Sequence, residues 1–408
     1  MLRACQALRQ PVVPYGGGTG LVAGAIATEQ EVLLSLERMR QVEEIDTAGR
    51  VAVVEAGVTI QAVQEAAAAE GLFFPLDLGA RGSATVGGAI ATNAGGNRVL
   101  RFGMMREQLL GLEAVLVDGT VLSTLNRLLK NNAGYDLRQL FVGSEGTLGV
   151  VTRAVLRLRE APQSQNLALL AVPGFDSLVQ LLKSVDRGLG GTLSAFEVMW
   201  PEFYELVTAP AGRHAPPLPH GAPLYCLVES LGGHEQRDRS HFEDVLSALL
   251  EAGVVSDAVI AESRAQVQSL WALRDDVEQI LGIGPVLMFD VGLPITRMPA
   301  YLDALRRRLS DRWPDMRCVV WGHVGDSNLH IWITVHDESV EARRAVEELV
   351  YGGLERVGTV SAEHGIGLEK LDYLCLCRSA AEIEVMRSLK RALDPLGILN
   401  PGRVLPPG

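Results

Sequence analysis

The first 160 residues alternate short apolar stretches with glycine-rich segments. Arg50–Gly57 is apolar and rich in β-branched residues, so it predicts a strand. Leu148–Leu158 predicts another strand, because its apolar residues alternate with polar ones. Leu112–Val121 predicts two short strands around an Asp-Gly turn. Ile60–Glu70 is rich in alanine at helical spacing and therefore predicts a helix.

The second part of the chain alternates β-like runs with amphipathic stretches of helical spacing. A composition change over 160–165 predicts a linker before it. Strands are predicted at Leu167–Val172, Pro223–Ser230, Arg317–Val324 and His330–Val335, and helices at Ser177–Leu189, Arg237–Ala252, Met298–Arg312 and Val340–Arg356. This alternation favours an α+β fold. We expect a first domain over 1–160, a second over 161–390 and a partly apolar C-terminal segment over 391–408 that packs on the rest of the protein.

Length and composition narrow the class of protein. A chain of 408 residues favours two domains, and 48% hydrophobic with 21% charged residues is typical of a globular protein. No apolar run reaches the roughly 20 residues of a membrane helix, and the N-terminus lacks the pattern of a secretory signal. A net charge of −12 argues against a nucleic-acid partner, and five scattered cysteines favour a reducing, cytoplasmic compartment.

Three glycine-rich segments are candidates for ligand binding. Val12–Leu21 has four glycines in five positions, which let backbone N–H groups turn towards a pyrophosphate. It lacks the Gly-Lys-Ser/Thr ending of a P-loop and the GxGxxG pattern of a nicotinamide site, and a plain flexible turn is the alternative. Gly79–Gly96 and Phe141–Thr152 favour the binding interpretation, because paired glycines between small residues suit a flat aromatic ligand.

Further motifs follow at Leu129–Leu137, Trp321–His330, Ser361–Gly367 and Asp394–Arg403. Together with the glycine segments, they resemble the FAD-dependent D-2-hydroxyacid dehydrogenases, which include D-2-hydroxyglutarate, D-lactate and glycolate dehydrogenases. This branch belongs to the vanillyl-alcohol-oxidase-type flavoproteins, whose FAD-binding domain is of the p-cresol methylhydroxylase type (PCMH-type). The resemblance implies a two-lobed FAD-binding domain, an α+β substrate or cap domain with an antiparallel sheet, and a C-terminal tail that returns to the FAD domain.

The resemblance also implies which residues bind FAD. The pyrophosphate would be held by Gly16, Gly17, Gly18, Thr19, Gly20 and Leu21. The central stretch of the cofactor would be lined by Pro75, Asp77, Ser83, Thr85, Gly88, Asn93 and Gly96, the adenine end by Glu145 and Val150, and the flavin by Asn400 from the tail. Some relatives attach FAD to a histidine of the first domain. All eight histidines lie at position 214 or later, so non-covalent FAD is expected.

Two histidines flank a turn in the second domain. Arg317–Val335 predicts a strand, a Gly-Asp-Ser-Asn turn and a second strand, so His323 and His330 can lie on one face of a hairpin and bind one ion. Ordinary packing of two strand histidines is the alternative. The resemblance implies a divalent metal on His323, His330 and Glu363, with zinc as the first choice and iron(II) or manganese as close alternatives.

The reaction is likewise implied by the resemblance. His364 would be the general base that takes the substrate hydroxyl proton, and Arg274 would bind the substrate carboxylate. Glu363 and His364 are adjacent, so they serve one site only if the backbone bends, which the glycines that follow allow. The metal would act as a Lewis acid and the hydride would pass to FAD. The sequence has no iron–sulfur or haem motif, so the electrons would go to oxygen or to an external partner such as an electron-transfer flavoprotein, a quinone or a cytochrome. The resemblance also allows a homodimer.

The chain departs from the D-2-hydroxyglutarate branch at three positions. Met288 stands where that branch has lysine, Glu278 where it has threonine and Trp332 where it has asparagine, which favours a smaller or more apolar hydroxy acid. Only about fifteen residues precede the first glycine loop, which suggests a misassigned start or a truncated chain. Two other functions stay open: a transferase like alkyl-dihydroxyacetone-phosphate synthase, and a non-catalytic flavin-binding subunit of a larger complex.

Overall fold

The computed structural model describes residues 1–208, 213–354 and 356–406, which form two units. The first unit comprises 1–98, 102–161 and 363–408, and the second comprises 99–101 and 162–362. The division between 161 and 162 falls within the linker predicted at 160–165. None of the helices in the described ranges is both long and apolar enough to cross a membrane.

The predicted boundary at 390/391 differs from the structure, because the chain rejoins the first unit at Glu363. Polar contacts hold this returning segment: Glu145 accepts hydrogen bonds from the backbone N–H groups of Ile366, at 2.7 Å, and Gly367, at 2.9 Å. Patterns of apolar residues do not reveal such contacts, so the sequence-based boundary falls too late. Residues 407 and 408 of the predicted C-terminal segment lie outside the described residues.

The helices and strands of the described ranges are numbered in chain order. The α-helices are α1 Leu2–Leu8, α2 Ile60–Ala69, α3 Val86–Thr92, α4 Val99–Phe102, α5 Met105–Gln108, α6 Phe175–Gly188, α7 Pro201–Thr208, α8 Glu235–Glu251, α9 Arg264–Asp275, α10 Met298–Arg312, α11 Val340–Gly352, α12 Leu374–Cys377 and α13 Ala380–Leu393. The strands are β1 Val12–Tyr15, β2 Val32–Ser35, β3 Val42–Asp46, β4 Val51–Glu55, β5 Leu72–Phe73, β6 Leu109–Val115, β7 Val121–Thr124, β8 Val150–Arg157, β9 Arg159–Glu160, β10 Ser164–Val172, β11 Leu193–Met199, β12 Leu224–Gly232, β13 Asp257–Ile260, β14 Leu287–Gly292, β15 Arg317–Gly322 and β16 Asn328–Thr334.

The first unit contains a five-stranded antiparallel sheet in the order β3-β4-β8-β6-β7. Alternating apolar residues of β4 and β8 pack against α2 and α3, in a core that includes Val54, Ile90 and Leu156. Nearby, β1 pairs in parallel with β2, and Val12 of β1 forms a parallel bridge with Leu399 near the C-terminus. The predicted return of the C-terminal tail to this unit is therefore confirmed.

The second unit contains a seven-stranded antiparallel sheet in the order β13-β10-β12-β11-β15-β16-β14. The predicted α+β fold with an antiparallel sheet is thus confirmed. Within the sheet, β16 pairs with β15 so that His330 lies opposite Trp321, and with β14 so that His330 also lies opposite Asp290. Met288 lies opposite Trp332 in the same register. Paired residues project to the same face of a sheet. One face therefore carries the side chains of Met288, Asp290, Trp321, His330 and Trp332.

Candidate functional site: a glycine-lined cavity and a histidine pair

The three glycine-rich segments line one cavity of the first unit, with a volume of about 340 Å³. Gly16–Leu21, which follow β1, form part of its wall. The other segments and the C-terminal tail add further predicted FAD-binding residues: Thr85, Gly88, Glu145, Val150 and Asn400. The structure therefore brings the predicted pyrophosphate loop together with residues from three other parts of the chain.

The remaining predicted FAD-binding residues are not among those that line the cavity: Pro75, Asp77, Ser83, Asn93 and Gly96. The carboxylate of Asp77 pairs with Arg81 at 3.1 Å and with Arg98 at 3.5 Å. Asn93 ends α3 and accepts a hydrogen bond from the backbone N–H of Arg106 at 2.9 Å. Apolar lining residues were missed because nothing distinguishes them from core residues in the sequence: Val22, Leu36, Phe141 and Val151.

Gly17 shows why the first loop is rich in glycine. A Cβ atom there would lie 1.9 Å from the backbone oxygen of Ser83, a distance that no side chain permits. The loop therefore packs directly against the backbone that precedes α3. At Gly20, by contrast, a Cβ atom would meet no protein atom within 4 Å, although this residue also lines the cavity.

Asn400 has a buried acceptor that suits a bound cofactor. Its Nδ2 donates hydrogen bonds to the backbone oxygens of Gly24, at 3.1 Å, and Glu145, at 2.6 Å. Its Oδ1 is buried and has no hydrogen-bond partner among the described residues. Buried polar atoms are nearly always paired, so an unpaired acceptor on a cavity residue indicates a ligand that donates to it. FAD has such donors in its ring N–H and hydroxyl groups, so the cavity fits this cofactor.

Glu145 is a half-buried carboxylate on the same cavity. Burial raises the pKa of its carboxyl above the usual range, and the N–H groups of Ile366 and Gly367 oppose this shift without cancelling it. The carboxylate thus connects the third glycine segment, Phe141–Thr152, with the segment that begins at Glu363, where the chain rejoins the first unit.

Glu363 and His364, predicted as a metal ligand and as the general base, both line this cavity of the first unit. The backbone bends directly after them, with φ of +87° at Gly365, so the predicted bend is confirmed. Glu363 accepts a hydrogen bond from the backbone N–H of Gly96 at 3.1 Å. The first 160 residues contain no histidine, which excludes a histidyl flavin within that segment only. Since His364 also belongs to this unit, non-covalent attachment of FAD stays a prediction.

The two predicted metal-binding histidines of the second unit lie close together. His330 is on β16 and His323 directly follows β15, with their ring centroids 5.2 Å apart. Both are buried, with 8% and 4% of their surfaces exposed. The predicted hairpin is confirmed with one difference: the residue opposite His330 is Trp321, and His323 comes two residues later.

Glu197 on β11, which the sequence analysis missed, contacts two predicted site residues of this unit. Its Oε1 accepts a hydrogen bond from Nδ1 of His323 at 2.6 Å, and its Oε2 accepts from Nε of Arg274 at 2.9 Å. Although burial raises the pKa of the Glu197 carboxyl, the interactions with His323 and Arg274 outweigh burial and hold that pKa below its usual range. The only signal in the sequence is one carboxylate in an otherwise apolar run.

Arg274, which the resemblance implies as the ligand of the substrate carboxylate, already pairs with a carboxylate of the protein. Its NH2 group is 2.8 Å from Oε2 of Glu197, so the Nε and NH2 edge of the guanidinium is already bound by a carboxylate. The side chain is buried, with 8% of the residue exposed. A substrate carboxylate that binds Arg274 would have to use a different edge of the guanidinium.

A second buried carboxylate, Asp290 on β14, lies behind His330. Its Oδ1 is 4.0 Å from Nδ1 of His330 and accepts a hydrogen bond from Nδ2 of Asn328 at 2.7 Å. Its Oδ2 accepts from the hydroxyl of Ser361 at 3.3 Å. Nδ1 of His323 thus donates to a carboxylate, an arrangement that commonly orients histidine ligands of metal ions, whereas Nδ1 of His330 has a carboxylate 4.0 Å away.

Comparisons with known proteins agree with this organisation. Residues 1–125 match the model of an FAD binding domain, and residues 161–404 match that of the C-terminal domain of FAD linked oxidases. A D-2-hydroxyglutarate dehydrogenase from Xanthomonas citri pv. viticola is 42% identical over 99% of this chain and 86% of its own length. The mitochondrial D-2-hydroxyglutarate dehydrogenase of Bos taurus is 40% identical over 100% of this chain and 74% of its own length.

A solved structure supports the fold. The structure of p-cresol methylhydroxylase with substrate bound has a TM-score of 0.79 to this chain at 16% identity, over 98% of this chain and 85% of its own. The chain belongs to the FAD-linked oxidases of the PCMH type, in the branch of the FAD-dependent D-2-hydroxyacid dehydrogenases. It is therefore an FAD-linked oxidoreductase that acts on a CH–OH group.

Proposed function

We propose that the protein oxidises a small or apolar D-2-hydroxy acid to the 2-oxo acid, with a divalent metal as a second cofactor. FAD, when bound, supplies the hydride acceptor. The observation that supports this most directly is the cavity of the first unit, which is lined by all three glycine segments and by His364.

Different residues of the chain bind the cofactor, accept the proton and bind the substrate. The backbone N–H groups of Gly16–Leu21 bind the pyrophosphate of FAD, and Oδ1 of Asn400 accepts a hydrogen bond from the cofactor. His364 takes the proton of the substrate hydroxyl, for which an imidazole is suited because it accepts protons near neutral pH. Arg274 supplies positive charge for the substrate carboxylate.

The donor set of the second unit fits a divalent ion. His323 and His330 offer buried imidazole nitrogens, which zinc, iron(II) and manganese all accept as ligands. Glu197 and Asp290 on their Nδ1 sides supply the outer contacts that such ligands commonly have. Glu363, the third ligand that the resemblance implies, belongs to the first unit, and its part in ion binding stays a prediction from the sequence.

The proposed substrate class follows from the residues next to His330. Met288 lies opposite Trp332 on the face that carries His330, and the rings of Trp321 and Trp332 are 5.4 Å apart. Met288, which is 45% exposed, and the buried rings of Trp321 and Trp332 offer apolar contact and carry no charge, so they suit a methyl or short alkyl group better than a second carboxylate. Glu278, the other departure from the D-2-hydroxyglutarate branch, has a side chain that is 77% exposed.

The proposal is tested with flavin-loaded protein mixed anaerobically with D-lactate, D-2-hydroxybutyrate or D-2-hydroxyglutarate. The flavin should be reduced, and faster by the two monocarboxylates than by the dicarboxylate. Removal of metal with a chelator should slow the reaction, and zinc or manganese should restore it. An unchanged rate in protein shown to be free of metal would contradict the metal, and a faster reaction with D-2-hydroxyglutarate would contradict the substrate class.

The remaining expectations have their own measurements. Electrons leave to an external acceptor, which is found by mixing reduced protein with a quinone, a cytochrome or an electron-transfer flavoprotein. Non-covalent FAD appears in the supernatant after acid precipitation. The cytoplasmic location and the homodimer stay predictions from the sequence.

A further inference from the structure

Glu197 is a buried carboxylate that binds two functional side chains at once. It lies on β11, one residue beyond the pair formed by Val198 and Gly322, and this register places it next to His323. Only 1% of its surface is exposed. A buried carboxylate is strongly destabilising unless it is paired, and here one oxygen accepts from His323 and the other from Arg274.

These contacts determine the position of the proton on the neutral His323 ring. The carboxylate of Glu197 only accepts, so Nδ1 of His323, at 2.6 Å, must donate to it. On the other side of the ring, Nε2 is 3.3 Å from NH2 of Arg274, and a guanidinium only donates. Both neighbours therefore require a proton on Nδ1 and a lone pair on Nε2.

We infer that Glu197 is a positioning residue, which fixes the Nδ1–H tautomer of His323 and holds Arg274 beside it. The lone pair of Nε2 faces Arg274 in this arrangement, and a divalent cation would bind this same lone pair in place of the hydrogen bond from the guanidinium, which the carboxylate keeps beside the ring. Glu197 acts through His323 and Arg274, and it is not assigned a contact with the substrate. This inference rests on the proposed function. It names the residue that positions His323 and Arg274 in the second unit of the protein.

The chain contains a matched control for Glu197. Glu229 on the neighbouring strand β12 is also fully buried, with 0% exposure. It accepts hydrogen bonds from Ser194 at 2.7 Å, Gln165 at 2.8 Å and Trp271 at 3.2 Å. Glu229→Gln therefore alters a buried carboxylate of the same sheet that hydrogen-bonds to other side chains.

The first test is the tautomer itself, read by two-bond proton–nitrogen correlation spectra of metal-free protein with labelled histidine rings. The His323 signals are identified by their absence in His323→Gln. The wild-type protein should show a proton on Nδ1 and none on Nε2. In Glu197→Gln one of the two accepting oxygens becomes an NH2 group that only donates, so His323 and Arg274 can no longer each donate to an oxygen of their own, and the ring should lose this single tautomer, while Glu229→Gln should retain it. A proton on Nε2 in the wild-type protein overturns the inference without any variant.

The second test is metal affinity, measured by titration with zinc and by metal content. Glu197→Gln should weaken binding about 10- to 100-fold, the usual effect of removing an outer partner of a histidine ligand. Glu197→Asp keeps both carboxylate oxygens, so it should bind zinc more tightly than Glu197→Gln and more weakly than the wild-type protein. It is the test variant if Glu197→Gln fails to fold. The FAD content should stay unchanged in both, since the glycine-lined cavity belongs to the first unit. Equal affinities in wild type, Glu197→Gln and Glu229→Gln would contradict the positioning role.

The outcomes separate this inference from the proposed function. If D-2-hydroxy acids fail to reduce the flavin but His323 holds the Nδ1–H tautomer only when Glu197 is present, the proposed reaction fails and the positioning role stands. If the flavin is reduced but the tautomer does not depend on Glu197, the reaction stands and the positioning role fails.

Discussion

At the scale of single residues, close backbone packing explains the first glycine segment. Gly17 contacts the backbone oxygen of Ser83 at a distance that excludes any side chain, whereas Gly20 has space around it on the protein side. The two glycines thus have different roles. One allows the loop to pack against the segment before α3, and the other leaves the cavity open.

Gly17→Ala should lower the free energy of unfolding by about 1–3 kcal/mol, because the new methyl group must push two backbone segments apart. It should also lower the ratio of FAD to protein. Gly20→Ala should change the stability of the flavin-free protein by less than about 0.5 kcal/mol. Urea unfolding of the flavin-free variants measures this difference. Equal loss of stability in both variants would contradict the steric account.

Met288→Lys tests the substrate surface at the same scale. A positive charge beside Trp332 should favour a second carboxylate, raising the rate of flavin reduction by D-2-hydroxyglutarate relative to D-lactate by about tenfold, which corresponds to about 1.4 kcal/mol. Met288→Leu, which keeps the surface apolar, should leave the ratio unchanged. A ratio that does not respond to the lysine would show that the substrate does not reach this strand.

At the scale of elements, runs of apolar or β-branched residues predicted strands in both units, whereas β11, which contains a serine and a glutamate, was missed. β4 is rich in β-branched residues, and apolar residues alternate with polar ones in β8, so the sequence predicted both strands. β11 is buried at every position, and its one carboxylate, Glu197, gave no sign that it binds two residues distant in the chain. The histidine hairpin was predictable because it is local. The contacts from Glu197 and Asp290 were not, since they depend on strand order in the sheet.

The returning C-terminal segment gives a prediction about pH at this scale. The pKa of Glu145 is raised in the folded protein, so the folded state binds this proton more tightly than the unfolded state does. Its ionisation therefore lowers stability as pH rises above the usual glutamate range. The stability of Glu145→Gln relative to wild type should increase as pH rises from about 4.5 to 7. Urea unfolding of the flavin-free protein at several pH values measures this trend.

Glu31 provides a control of opposite sign. Its pKa is lowered chiefly by the hydrogen bond from Arg403, so its ionised form stabilises the folded protein, and that contribution is lost as pH falls through its folded-state pKa. Glu31→Gln should therefore become less stable relative to wild type as pH rises over the same interval. Parallel trends in the two variants would contradict the assignment for Glu145.

At the scale of the whole molecule, the chain divides its functional groups between two units. The first contains the glycine-lined cavity with Glu363 and His364, and the second contains His323, His330, Arg274 and the carboxylates that hold them. The sequence predicted this division except for the C-terminal boundary. Family membership establishes an FAD-linked oxidoreductase acting on a CH–OH group, so the central claim concerns the substrate and the base.

The most direct measurement is anaerobic reduction of the flavin by the two enantiomers of one 2-hydroxy acid, in the wild-type protein and in His364→Ala. D-lactate should remove the visible absorbance of the oxidised flavin, and L-lactate should not. His364→Ala should retain FAD but be reduced far more slowly. Equal reduction by both enantiomers, or an unchanged rate in His364→Ala, would contradict the account.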